Sequence, residues 1–300
     1  MPFTSVAPRD NVAAGIGWML LTTFLFIAMD TLAKYLLQLY PAPQVIWARF
    51  FFHLLLAMAM MGPSLLSGIR SGRPLLQHAR SVTLLLTTTL FMVGLSTVDL
   101  ATATAIMFLT PLVVTLLSIP ILGEKVGLRR LAGVLVGFAG ALVIVRPGFE
   151  TLSLGMLLLL AASFSNAFYQ LVTRQVRHYD GANTTLFYTA LAGTVVFSAI
   201  VPLDWQTPQG IDWLLFLVLG VLGGLSQLCL IRAFRLAPAA VVSPFSYTGL
   251  IWAILFGFVV FLDLPDLWTM LGALLIVGSG LYVFHRERTL AISVSRPAER

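Results

Sequence analysis

The chain has 300 residues, of which 59% are hydrophobic and only 10% charged, with a mean hydropathy of +0.95. A soluble domain, at about 45–50% apolar and about 25% charged residues, cannot bury that much apolar surface, so a water-soluble fold is excluded. The single cysteine, Cys229, excludes an internal disulfide and a cysteine-based metal cluster, and is expected to pack inside an apolar helix; the formal net charge of +6 is read from where the cations sit.

The polar start, with Arg9 beside Asp10 and no small-residue cleavage site, does not read as a cleavable signal peptide. A helix of about 20 apolar residues satisfies its own backbone while crossing a hydrocarbon core of roughly 30 Å. Apolar runs between charged or Pro/Gly breaks predict ten such spans: Ala14–Leu36, Pro43–Met61, Ser81–Val98, Ala101–Leu122 and Leu128–Val145, then Leu152–Thr173, Ala182–Pro202, Asp212–Ala233, Pro238–Phe261 and Leu267–Phe284. The expected fold class is an all-α polytopic membrane protein of ten transmembrane helices.

With the N-terminus inside, the inner segments hold Arg9, Arg70, Arg73, Arg80, Lys125, Arg129, Arg130, Arg174, Arg177, Arg232, Arg235, Arg286, Arg288, Arg296 and Arg300. These are 15 of the 18 Lys and Arg; Arg146 falls in an outer loop, and Lys34 and Arg49 lie within spans. Such asymmetry places both termini in the cytoplasm of a cell whose inner membrane holds the chain. The cations are spread along every inner connection rather than gathered in one patch, which argues against a nucleic-acid partner.

Residues 101–145 lie on 240–284 at a constant offset of 139 without a gap. Ala101 meets Ala240, Thr104 meets Ser243, Glu124 meets Asp263 and Gly133 meets Gly272. The same offset sets Leu39-Tyr40 on His178-Tyr179. Because five spans is an odd number, the two copies are expected to be inverted: 1–147 as the first five-helix unit, 148–284 as the second, and 285–300 as a basic cytoplasmic tail. Inverted halves let a protein exchange outward-open and inward-open shapes, which is a transporter's requirement.

The sequence Leu122-Gly123-Glu124 at the end of the fourth span, followed by Leu131-Ala132-Gly133 and Gly140 in the fifth, resembles the drug/metabolite transporter superfamily in its ten-helix EamA branch. The counterparts around Asp263, Gly272 and Gly280, the Pro111 kink and the first-span segment Phe26-Ile27-Ala28-Met29-Asp30 carry the same resemblance. The second copy has Asp263-Leu264-Pro265-Asp266 where a Gly-Glu pair is frequent. The resemblance implies a basket-like fold around a central cavity, alternating access, and cargoes among amino acids and their derivatives, metallophores, riboflavin, S-adenosylmethionine and drugs.

An ionisable group in the hydrocarbon core costs about 2.5–3.5 kcal/mol on insertion scales and faces a partner or a wet cavity. Asp30 and Arg49 fall at similar depths on the first two spans. Two readings stand: a buried ion pair joining those spans, or a site in which Asp30 meets an ammonium group or a proton and Arg49 a carboxylate. Lys34 is expected to snorkel to the outer headgroups, and His53 is either a packing residue or a proton carrier. The second half supplies Asn166, Tyr169 and Gln170 on one predicted helix face, Gln227 on the eighth span, and Tyr247 and Trp252 on the ninth, as candidates for the cavity wall or for stacking on a flat ligand.

The function these features predict is a secondary transporter exporting amino acids or amino-acid-like metabolites. The alternatives are an importer of riboflavin or a similar flat vitamin and, in another class, a structural protein or an intramembrane enzyme. No H-E-x-x-H, G-x-S-x-G or phosphate-loop motif is present in the sequence. No cofactor, metal site or catalytic residue is therefore expected; the expected partners are a small-molecule substrate and the lipid bilayer.

Overall fold

The computed structural model describes residues 11–62, 69–122, 127–146, 153–176, 179–237 and 239–294. Gly123 and Glu124 of the fourth-span motif, Arg9, Lys125, Arg177, Arg296 and Arg300 lie outside the described residues. The helices, numbered by span, are α1 Val12–Leu37, α2 Ala42–Met61, α3 Pro74–Leu95, α4 in two pieces Leu100–Met107 and Thr110–Leu122, and α5 Leu128–Val145. The second half has α6 Leu154–Val176, α7 Ala182–Ile200, α8 Asp212–Leu236, α9 built from Ala239–Val242, a 3-10 segment Ser243–Thr248 and Gly249–Phe261, and α10 Leu267–Val294. Among the described residues nine helical stretches are long and apolar enough to cross a membrane, and Leu131–Val145 is a shorter apolar tenth. The chain is an all-α polytopic membrane protein.

Four elements differ from expectation, each for a local reason. Proline is well suited to the first turn of a helix, and with Pro74 in that place α3 starts seven residues before Ser81 and takes in Arg80. In α4 the break at Phe108-Leu109 falls just before Pro111, which sits in the first turn of the second piece and whose missing N–H leaves the Met107 carbonyl without its helical bond. Pro244 does the same in α9, which tightens to a 3-10 turn there instead of running straight from residue 238. The last helix runs to Val294 rather than stopping at Phe284, through Arg-, Glu-, Leu- and Ala-rich sequence of high helix propensity.

Packing follows the exchange of each helix for the one five places on. The most extensive contacts are α5 with α10, α3 with α6, α1 with α8, and α2 with α7. The first and last of these map onto themselves under the exchange, and the middle two map onto each other. The match extends to single residues. A Cβ on Gly133 of α5 would meet Val283 at 2.7 Å, and one on Gly272 of α10 would meet Ile144 at 2.5 Å; both members of each contact are related by the 139-residue offset. With one residue of slip in the offset, Gly15 of α1 abuts Ala233 of α8 and Ala237 just past its end, while Gly155 of α6 abuts Gly94 of α3 and Thr97 just past its end. Small residues let helix backbones approach where hydrocarbon supplies no hydrophobic drive, so these crossings set the geometry of the bundle. The apolar core includes Met29, Val45, Leu95, Ile106, Leu159 and Phe216, drawn from α1 to α4, α6 and α8.

The ends of the bundle repeat the pattern. At one end the Tyr40 hydroxyl donates to the Asp212 carboxylate, a bond that raises the Tyr40 pKa above its ordinary value. At the other end the Arg73 guanidinium lies 4.9 Å over the Tyr179 ring. Tyr40 and Tyr179, and Arg73 and Asp212, are again 139 positions apart. Beside Tyr179, Asp180 accepts from Ser71 Oγ, Gly72 N at 2.7 Å and Gln77 Nε2 at 2.8 Å. Partial burial pushes the Asp180 carboxyl up, but these donors outweigh it and hold it below the usual range.

Candidate functional site

Asp30 on α1 and Arg49 on α2 are both half-buried. Among the described residues the ion pairs are Lys34 with Asp263 and Arg146 with Asp266, and neither Asp30 nor Arg49 makes an ion pair or a side-chain hydrogen bond. Each nonetheless lies in the other's electrostatic field, as His53 and Tyr169 lie in that of Arg49. The two charges therefore do not join α1 to α2 by direct contact. A carboxylate and a guanidinium are held near each other inside the membrane, each with its hydrogen-bonding groups unused.

His53, one turn beyond Arg49, is 8% exposed and its Nε2 is buried without a partner among the described residues. It sits at a close approach of α8, since a Cβ on Gly220 would meet the His53 backbone at 2.9 Å. Tyr169 of α6 accepts a hydrogen bond from Arg80 at 2.7 Å. Asn166, one turn back, donates to Thr110 Oγ1 at 3.4 Å across to α4. Gln170, on the same stretch of α6, is exposed, whereas Asn166 and Tyr169 are half-buried. Gln227 is half-buried on α8.

Tyr247 and Trp252 occupy a different neighbourhood. Tyr247 lies edge-on to Phe108 at 5.1 Å, with its hydroxyl at Gly280 of α10. It lines a cavity of about 360 Å³ between α9 and α10 whose other walls are mostly apolar, including Ile251, Met270 and Leu274, with Thr248 and Thr269 as further polar residues. Trp252 meets the Phe24 ring edge-on at 5.4 Å, and its indole N–H is buried without an acceptor among the described residues.

Lys34 does not snorkel. Its Nζ lies 3.0 Å from Asp263 and 4.7 Å from the Phe261 ring centroid. Leu262, in a left-handed conformation at the end of α9, turns the chain so that Asp263 N bonds back to Gly257 O at 3.1 Å, and the carboxylate faces α1.

Arg80 is the residue that sequence reasoning placed in an inner loop and so missed. It is 4% exposed, donates to Thr173 Oγ1 at 2.8 Å, Thr185 O at 3.2 Å, Thr189 Oγ1 and Tyr169 OH, and stacks 4.7 Å over the Tyr169 ring. The available signal was Pro74, which as a first-turn proline starts α3 early enough to carry Arg80 nearly two turns into it.

Ten apolar helices that carry polar and charged groups within their spans define a multi-pass membrane protein. The chain belongs to the EamA-like transporter family, which matches it twice, over residues 13–146 and 153–284, within the drug/metabolite transporter superfamily. It is 28% identical over 274 residues to the S-adenosylmethionine uptake transporter of Rickettsia felis, covering 91% of this chain and 93% of that one. It is 33% identical over 195 residues to the riboflavin transporter of Vibrio cholerae, covering 62% and 65% of the two chains. To the pseudopaline exporter CntI of Pseudomonas aeruginosa it is 27% identical over 270 residues, covering 89% and 95%.

Proposed function

We propose that this protein is a secondary transporter of an amino-acid-like metabolite carrying both an ammonium or sulfonium centre and a carboxylate. The observation that carries the reading is the unpaired Asp30 and Arg49, held within each other's field in the membrane interior. A zwitterion supplies both missing counter-charges at once, so its desolvation and theirs offset each other. The relatives named for S-adenosylmethionine and pseudopaline support such a cargo, and the riboflavin relative supports a flat vitamin as the second reading.

The reading includes two inverted five-helix units, 1–147 and 148–284, supported by the contacts that repeat at the 139-residue offset. It places the chain in the inner membrane with both termini in the cytoplasm, supported by the Arg and Lys distribution. Halves related in this way pass a solute in either direction, so the imposed gradient decides between export and uptake.

The test is flux of S-adenosylmethionine, methionine and riboflavin in proteoliposomes free of nucleotide. Saturable flux of one of the first two supports the proposal. Flux of riboflavin alone moves the assignment to the flat vitamin, and an absolute ATP requirement overturns secondary transport. A periplasm-only reporter fused after Arg300 is expected to stay silent.

A further inference from the structure

Arg80 is a guanidinium buried among neutral groups, with no carboxylate in ion-pair contact among the described residues. Its acceptors are already fixed: Thr173 Oγ1 donates to Tyr169 O at 2.7 Å and Thr189 Oγ1 to Thr185 O at 2.8 Å, so each presents only lone pairs to the arginine. Tyr169 differs. Its oxygen accepts from Arg80, and among the described residues no acceptor takes its own hydroxyl proton. That proton is polarised by the guanidinium bound to the same oxygen, which makes it a strengthened donor.

Tyr169 also lies in the field of Arg49, so it stands between two cations. Arg49 is seven residues in from the first residue of α2, and Arg80 six in from the first residue of α3, which begins at the opposite end of the bundle. At ~1.5 Å per residue in a core of roughly 30 Å, the two guanidiniums lie about 10 Å apart along the bundle axis. Asp30 offsets one of them. One positive charge remains without a counter-ion along this line.

We propose that Arg80 and the Tyr169 hydroxyl form a second anion-recognition station, on the α2–α3 side of Arg49, which receives the carboxylate of the transported molecule as it passes between the two ends. The station rests on the transport reading and adds a requirement to it: the cargo carries an anionic group. Four of the five Arg80 N–H donors are taken by Thr173, Thr185, Thr189 and Tyr169, so the carboxylate's two contacts are the remaining Nη2–H and the Tyr169 hydroxyl.

The test uses methionine and methioninamide, which differ in the carboxylate, with full-length wild type, Arg80→Gln, Arg80→Lys and Tyr169→Phe. In detergent, methionine is expected to raise the melting temperature of wild type and methioninamide to raise it much less. In proteoliposomes, Tyr169→Phe is expected to raise the KM for methionine on the order of tenfold, from the loss of one charge-assisted hydrogen bond. Arg80→Gln raises it further, Arg80→Lys recovers part, and methioninamide flux changes little. Tyr169→Phe keeps the inference testable where Arg80→Gln does not fold, because it leaves the guanidinium and its threonine bonds in place. Equal losses for methionine and methioninamide overturn the station, as does a wild type that methionine does not stabilise. Wild type that is stabilised by methionine yet shows no flux overturns the transport reading instead.

Discussion

The Lys34–Asp263 bridge makes an asymmetric prediction. The two groups are 3.0 Å apart, with side-chain exposures of 8% for Lys34 and 43% for Asp263. At that separation the attraction is roughly 1.4 kcal/mol in water and about 5.5 kcal/mol at an effective dielectric of 20. Because nearly half of Asp263 is wet, its worth sits toward the lower part of that span. Asp263→Asn leaves an ammonium buried with only the Phe261 face for company, and should cost about 2–3 kcal/mol. Lys34→Met replaces the buried cation with an apolar chain of similar length and frees a carboxylate that can rehydrate, so it should cost under about 1 kcal/mol. The double variant should resemble Lys34→Met. The assay is thermal unfolding in one detergent at one scan rate, since such unfolding is commonly irreversible. At about 2–4 °C per kcal/mol, Asp263→Asn should lower the apparent Tm by about 4–12 °C. A loss for Lys34→Met as large as that for Asp263→Asn would refute the argument.

Two more predictions follow from the bundle's ends and its central crossing. The Asp180 carboxyl is held below its ordinary range by Ser71, Gly72 and Gln77, so its contribution to stability is present above the unfolded value of about 3.9 and is lost as pH falls through the lower folded value. Melting curves should show the gap between wild type and Asp180→Asn closing as the buffer is acidified below about pH 4; a gap that widens there contradicts the assignment. At the α5–α10 crossing, Gly133→Val and Gly272→Val each force a side chain into a space where even a Cβ is too close, and each should destabilise by about 1–3 kcal/mol or more. Because the two contacts are related by the repeat, their Tm losses should be similar; a silent substitution at either site argues against the crossing.

Much of the fold could be read from the sequence because hydrocarbon imposes a strong rule: an apolar run of sufficient length must be a helix. The spans α2 and α5 needed almost no adjustment for that reason. The misplaced start of α3 shows where the rule stops, since an arginine inside a helix is invisible to hydropathy when its partners, Thr173, Thr185, Thr189 and Tyr169, come from helices about a hundred residues away. Lys34 was misread for a related reason. Its partner, Asp263, is brought to it by a left-handed turn at Leu262, a conformation that a leucine does not advertise. Asp30 and Arg49 stood out as charges within spans, but only the structure distinguishes a touching pair from two unpaired groups that share a field.

The central claim is that the unpaired Asp30 and Arg49 receive the cargo's charges. It is tested most directly by nucleotide-free flux of the preferred cargo in proteoliposomes, comparing wild type with the double variant Asp30→Asn, Arg49→Gln. Removing both charges together leaves neither member of this pair as a lone ion, so the double variant should fold and melt close to wild type. Its flux should fall to the level of empty liposomes, because two amides offer neither counter-charge. A double variant that transports at the wild-type rate would contradict the account.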